Sequence, residues 1–261
     1  MNTHIQRTIV ITGCSSGIGL VAAKYLKRRG YRVIVTCRKE SDYSKLTAQG
    51  FEVVLLDLDS KESVDKAAAQ ILEMTQHKLY ALFNNAGYGV YGSLESISRG
   101  QLEKQFSANF FGTHQLTMRL LPAMRANRDG RIIQTSSIMG FISTPGRGAY
   151  AASKYALEAW SDALRLELSA TKIKVCLIEP GPIKTPFSEN VNQADKHKKV
   201  KNPSIAKRFT LTPEAILPKL VHALESPVPK VRYRVTLVTH VTAVLKRLLP
   251  DKLMDKILAS K

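Results

Sequence analysis

From Thr8 onward, short runs of β-branched and apolar residues alternate with longer segments in which apolar residues recur every three or four positions. The first pattern indicates buried strands and the second amphipathic helices. Strands are expected at Thr8–Thr12, Tyr31–Cys37, Phe51–Leu56, Leu79–Asn84, Arg131–Ser136, Ile173–Ile178 and Tyr233–Val238, with helices filling most of the gaps. Gly30 and Gly50 follow expected helix ends, while Ser60 before Lys61–Thr75 and Thr212 before Pro213 have N-cap chemistry. This alternation predicts an α/β fold: a doubly wound, seven-stranded parallel sheet with helices on both faces. No repeat, low-complexity tract or long linker divides the chain, so residues 1–261 are expected to form a single domain. The least patterned stretch, Pro186 to Leu211, follows the sixth strand at the carboxyl edge of the sheet, where open α/β folds bind ligands. Residues 186–231 are therefore expected to hold a mobile substrate loop and residues 232–261 to cap it.

Composition narrows the functional classes. At 44% hydrophobic and 23% charged, the chain has globular rather than disordered character. The longest uncharged stretch near the C-terminus, Val235 to Leu245, contains His240 and is well short of the ~20 apolar residues of a membrane span. The residues before Thr8 lack the apolar core of a secretory signal. Cys14, Cys37 and Cys176 have no paired spacing for metal or redox work, so a reducing cytoplasm is the expected location. The net charge of +18 is compatible with nucleic acid, anionic lipid or phosphorylated ligands. Lys196, Lys198, Lys199 and Lys201 cluster, and residues 230–261 hold eight Lys/Arg against two Asp. Such runs ordinarily face water, and with no recognition-helix or zinc pattern no specific nucleic-acid partner is expected.

The first strand leads directly into Thr12-Gly13-Cys14-Ser15-Ser16-Gly17-Ile18-Gly19 and then a helical pattern. A glycine-rich turn at this junction lets backbone N–H groups approach a pyrophosphate at a helix N-terminus, although the spacing departs from the general G-x-G-x-x-G fingerprint. NAD sites place an acid at the tip of the next strand. Here that strand ends Cys37-Arg38-Lys39, whose cations suit the 2′-phosphate of NADP(H). Asp57, followed by Leu58, closes the third strand and has two uses, accepting from an adenine amino group or forming a turn. In Tyr150-Ala151-Ala152-Ser153-Lys154 a four-residue step puts a phenol and an ammonium on one helix face. A nearby cation favours the phenolate, which brings the group toward proton transfer at neutral pH.

Four further elements complete a pattern: Asn109 interrupts an apolar helix, Ser136-Ser137 ends the fifth strand, and Asn84-Asn85-Ala86-Gly87 and Pro180-Gly181-Pro182-Ile183-Lys184-Thr185 lie at strand ends. Together with the glycine loop and the Tyr–Lys pair, they resemble the short-chain dehydrogenase/reductase family over residues 8–185. The resemblance implies a Rossmann fold and a tetrad of Asn109, Ser137, Tyr150 and Lys154. Tyr150 would be the general acid, and Ser137 would bind the carbonyl oxygen. Ser137 rather than Ser136 lies at the family's spacing, thirteen positions before Tyr150. Lys154 would hold the nicotinamide ribose, and Asn109 would support a water-linked proton path. Gly13, Ser15, Ser16, Gly17, Ile18, Gly19, Arg38, Lys39, Asp57 and Leu58 would bind the cofactor, with Asn85, Ala86 and Gly87 beside the adenosine ribose. Pro180, Gly181, Ile183 and Thr185 would lie at the nicotinamide end. Ser16 stands where some NADP-preferring relatives carry a base, so cofactor preference rests on Arg38.

The C-terminal part is similar to the branch containing retinol and 17β-hydroxysteroid dehydrogenases and bacterial aldehyde reductases, which favours apolar substrates. Tyr88, Tyr91, Phe141, Ile142, Phe187 and Phe209 are candidates to line such a pocket. The expected activity is NADP(H)-dependent reduction of apolar aldehydes or ketones. A secondary-alcohol dehydrogenase and a non-catalytic dinucleotide sensor are the alternatives. The resemblance also implies a homodimer or homotetramer, with Trp160 in core or interface. Finally, Val241, Val244, Leu245, Leu248, Leu249, Leu253, Ile257 and Leu258 recur at helical spacing among Lys246, Arg247, Lys252 and Lys256, with Pro250 as a break. Such a segment either closes the pocket or makes a subunit contact, or else it lies peripherally on an anionic membrane.

Overall fold

The computed structural model describes residues 6–188, 192–193 and 209–259. The lysine cluster at 196–201 and most of the expected substrate loop lie outside the described residues. The strands are β1 (Thr8–Ile11), β2 (Arg32–Cys37), β3 (Glu52–Leu55), β4 (Ala81–Asn84), β5 (Val90–Tyr91), β6 (Gly130–Thr135), β7 (Ile173–Glu179), β8 (Asn192–Gln193) and β9 (Arg232–Arg234). The helices are α1 (Gly17–Arg28), α2 (Glu40–Ala48), α3 (Lys61–Met74), α4 (Arg99–Phe106), α5 (Gly112–Ala126), α6 (Gly148–Glu167), α7 (Leu217–Glu225), α8 (Leu237–Leu248) and α9 (Asp251–Ala259).

Seven strands form one parallel sheet in the order β3-β2-β1-β4-β6-β7-β9, and β5 and β8 make a separate parallel pair. Because the side-chain period of a strand is two, both faces of this sheet must be covered. Ile9, Ile11, Val33 and Val35 point to the layer holding Ala22, Ala23 and Leu26 of α1 and Leu220 and Leu224 of α7. Val10, Ile34 and Val54 point to the opposite layer, with Val64 and Ile71 of α3, Leu116 and Leu120 of α5 and Leu164 of α6. The result is a single-domain, doubly wound Rossmann-type fold. The order reverses between β1 and β4, so the crevice at their carboxyl ends is where the loops after both strands converge.

The seventh strand is shorter than the β-branched run Tyr233–Val238 suggests. Only Arg232–Arg234 pairs with β7. Thr236 then turns the chain by accepting from Thr239 N at 3.3 Å, capping α8 so that Leu237 and Val238 are helical. Arg232 is drawn into β9 by Glu158 at 3.0 Å, Asp162 at 2.6 Å and Glu179 at 3.3 Å, and Arg234 also meets Glu179. Ser60 does cap α3, accepting from Ser63 N at 3.2 Å, whereas Thr212 makes no side-chain cap bond to the turn at Pro213–Ile216. The three cysteines are buried free thiols. Among the described residues no helix is long and apolar enough to cross a membrane.

Candidate active site

The loops after β1 and β4 are stitched together by hydrogen bonds. Thr12 Oγ1 accepts from Asn85 N and Ala86 N, both at 2.9 Å, and Asn85 Nδ2 donates to Thr12 O at 3.0 Å. Gly13 sits at φ +71°, and a Cβ there would stand 2.8 Å from Ala86 Cα. Only glycine fits this approach. Ser16 precedes α1 in an extended conformation without a side-chain cap bond, and the first turn carries no acid. Its backbone N–H groups are thus left for an external anion. Ser15 and Ser16 are exposed, while Gly19 is buried and Ile18 packs on the core. The turn after β7 closes on the same loop: a Cβ on Gly17 would lie 3.2 Å from Thr185 Cγ2. Pro180 O accepts from Ile138 N at 2.8 Å. Gly181 abuts Thr236, and Ile183 bridges Leu211.

Arg38 and Lys39 stand exposed at the tip of β2, and neither forms an ion pair among the described residues. Asp57 makes a turn, Oδ1 accepting from Asp59 N at 3.1 Å. Leu58, next to it, is buried in the second core layer. Tyr88 packs on that layer too, close enough to Arg38, Asp57 and Asp59 to feel their charges. It therefore flanks the β2 tip and is not part of an apolar pocket around Tyr150.

The tetrad positions converge. Between α4 and α5 the chain makes one π-helical turn, Ser107–Phe111, a distortion that re-aims a side chain. Here it aims Asn109, which is buried: Nδ2 donates to Tyr88 O at 2.9 Å and Ser153 Oγ at 3.2 Å, and Oδ1 accepts from Tyr88 N at 3.0 Å. Ser137 Oγ accepts from Met139 N at 3.1 Å and lies near enough to the Tyr150 phenol to favour its ionised form, whereas Ser136 sits against Gly140 and Glu158. Lys154 Nζ donates to Thr135 O at 2.7 Å and lies 5.8 Å from the Tyr150 ring centroid.

The electrostatics differ from the expectation that Lys154 pulls the phenol toward neutrality. Burial pushes Tyr150 above the ordinary phenol range, with Tyr91 adding to the rise and Ser137 and Arg147 opposing it. The same burial lowers Lys154 to about 8, opposed by Glu158. Glu179, under the site at the end of β7, is pushed up to about 7 by burial and by Glu158.

Tyr150 sits in a third apolar cluster with Ile138, Met139, Ile142 and Ala151, flanked by Tyr91, Phe141 and Phe187. Phe209 is exposed and lies outside it. Residues absent from the sequence-based candidates are Gln105, which ties Val90 N and Tyr88 O in place, and Ser153, which links Asn109 to Tyr150 O. Both are polar residues on otherwise packed helix faces, which is the signal that marks them. Met254 and Val238 also join the cluster, from α9 and α8.

The residues present fit a dinucleotide. The Gly13 cradle would be filled by a Cβ, the N-terminus of α1 has no internal cap, and two cations stand at the β2 tip.

The family model for short chain dehydrogenase matches residues 7–196. The chain belongs to the short-chain dehydrogenase family. This short-chain dehydrogenase is 63% identical over 254 residues to the Escherichia coli K12 protein named uncharacterized oxidoreductase YbbO, covering 97% of this chain and 94% of that one. It is 32% identical over 276 residues to the NADPH-dependent 3-dehydrocapnine reductase of Ornithobacterium rhinotracheale, covering 97% and 96%. With human retinol dehydrogenase 8 it shares 39% identity over 191 residues, 69% of this chain and 60% of the relative, placing it in the retinol-dehydrogenase-like branch. A short-chain dehydrogenase from Streptomyces avermitilis, solved by crystallography, superposes with a TM-score of 0.82 at 27% identity, covering 98% of both chains. The protein is an oxidoreductase that works with a nicotinamide dinucleotide.

Proposed function

We propose that this short-chain dehydrogenase is an NADP(H)-dependent reductase of apolar aldehydes or ketones. The observation that carries the reading is the placement of the Tyr150 phenol near Ser137 within an apolar cluster, with Lys154 Nζ 5.8 Å from its ring centroid. A neutral phenol is a proton donor, and apolar walls favour an apolar carbonyl. The glycine loop Gly13–Gly19, Asn85–Gly87 and the Pro180–Thr185 turn would hold the dinucleotide, with Arg38 and Lys39 toward the 2′-phosphate. When bound, the dinucleotide supplies the hydride.

Ser137 Oγ orients the substrate oxygen and Tyr150 Oη delivers its proton to that oxygen, so the carbonyl becomes an alcohol and the phenol a phenolate. Lys154 would hold the nicotinamide ribose and, as a cation one helical turn from Tyr150, would stabilise the phenolate. Asn109 fixes the Tyr88 backbone and Ser153 along the route by which water returns the proton. Residues 186–231 act as the substrate-loop region and 232–261 as the cap of one domain spanning 1–261. A homodimer or homotetramer in the cytoplasm is the working assembly. The 3-dehydrocapnine reductase named as NADPH-dependent supports the cofactor choice, and the likeness to a retinol dehydrogenase keeps secondary or lipid alcohols as the reverse substrates.

The test is a panel of aldehydes, ketones and alcohols of graded apolar length, followed by nicotinamide absorbance with each cofactor. NADPH should give the higher kcat/KM, and KM should fall with apolar length. Equal use of NADH defeats the cofactor assignment, and absence of turnover on every substrate would favour a dinucleotide sensor.

A further inference from the structure

We propose that the C-terminal helix pair docks this protein on an anionic lipid surface. Helix α8 has two aliphatic sides. Val238, Leu245 and Leu249 face the cluster around Tyr150, together with Met254 and Leu258 of α9. Leu237, Val241, Val244 and Leu248 lie outward, 63%, 48%, 53% and 72% exposed. Steps of four, three and four residues put these four in a single stripe along the helix. The fully buried residue of α8 is Thr239, bonded to Thr236, while two of its three leucines, Leu237 and Leu248, meet solvent. Leu253 of α9, which contacts α8, is exposed as well.

Charge selects lipid over a second copy of the chain. Lys246 is tied to Asp251 at 3.1 Å, but Arg247, Lys252 and Lys256 make no ion pair among the described residues. Arg247 lies three residues from Val244 and Lys256 three from Leu253, which makes each a neighbour of the exposed apolar positions on its helix. With a net charge of +18, a second copy would bring the same sign to this face. Phosphate headgroups bring the opposite sign, and the acyl boundary accepts the stripe. The inner side of the same helix packs toward Tyr150, so docking would set the apolar cluster against the bilayer.

Flotation of the intact protein with phosphatidylcholine vesicles, with and without phosphatidylglycerol, tests this independently of turnover and so separately from the reductase reading. Binding should require phosphatidylglycerol and be lost at high salt. It should weaken more than about tenfold in Val244→Glu/Leu248→Glu and in Arg247→Gln/Lys252→Gln/Lys256→Gln. Turnover of a short water-soluble aldehyde should stay unchanged in both variants. Equal binding to phosphatidylcholine alone, or binding indifferent to either variant, overturns the proposal. So does failure to bind any vesicle combined with a dimer in sedimentation velocity that Val244→Glu/Leu248→Glu dissociates, since a second copy would then cover the stripe.

Discussion

Replacing Gly13 by alanine, with Gly30→Ala as its control, isolates the contact that joins the two cofactor-side loops. Both glycines have positive φ, +71° and +93°, so both variants carry the strain of an L side chain in the left-handed region, about 1–2 kcal/mol. Both also gain the same stabilisation from a stiffer unfolded chain. They differ in space. Nothing lies within 4 Å of a Cβ on Gly30, whereas one on Gly13 would be 2.8 Å from Ala86 Cα and 3.0 Å from Ala86 Cβ. Ala86 cannot swing aside, because its backbone N–H and that of Asn85 are pinned to Thr12 Oγ1. Overpacking against a fixed backbone costs about 1–3 kcal/mol. At roughly 2–4 °C per kcal/mol for a chain of this size, Gly13→Ala should melt about 2–12 °C below Gly30→Ala. Circular dichroism melts without cofactor measure this difference, and fluorescence titration with NADPH should show weakened affinity in Gly13→Ala alone. Equal melting temperatures together with equal affinities would refute the rigid stitching of the two loops.

Tyr150→Phe keeps the ring and Lys154 but removes the transferable proton, so kcat should fall by about 10²–10⁴ while NADPH affinity stays within a few-fold; a variant with half the wild-type kcat excludes the assignment. Arg38→Leu should raise the KM for NADPH and leave that for NADH nearly unchanged, and unaltered discrimination would remove Arg38 from the 2′-phosphate site. Introducing an acid one position earlier would bury it, because Cys37 is core. Lys154, lowered to about 8 by burial, titrates below the ~10.4 of an unfolded lysine. Between those values the unfolded chain holds more protons, so this group's contribution to stability rises with pH and its full cost is felt below pH 8. Lys154→Met should accordingly show its largest stability advantage near pH 7, and denaturant midpoints should show that advantage shrinking by on the order of 3 kcal/mol toward pH 10.5. A constant difference across that range contradicts the buried-cation reading.

Local pattern accounts for β1–β4, β6 and β7 of the main sheet, because residues buried on both faces are mostly apolar and β-branched whatever lies beyond them, as at Ile9, Val10 and Ile11. The same holds for the glycine loop and for the i,i+4 step from Tyr150 to Lys154, whose chemistry is carried by residue type and spacing alone. Long-range contacts decided the rest. The run from Tyr233 to Val238 has strand propensity throughout, yet the Thr236 cap and the carboxylates holding Arg232 and Arg234 end β9 early and start α8. Leu58 and Tyr88 have apolar side chains whose partners the sequence leaves open, and only the packing of α3 and α5 against the sheet puts them with the second core layer. The titration of Tyr150 depends on how much water the surrounding elements exclude, and here burial, with Tyr91, outweighs the opposing effects of Ser137 and Arg147. The C-terminal aliphatic residues announce an amphipathic helix in sequence, but a period of 3.6 cannot say which of two aliphatic sides meets the core. The packing of α8 and α9 over Ile138, Ile142 and Tyr150 turns Leu245 and Leu249 inward and leaves Val244 and Leu248 in solvent.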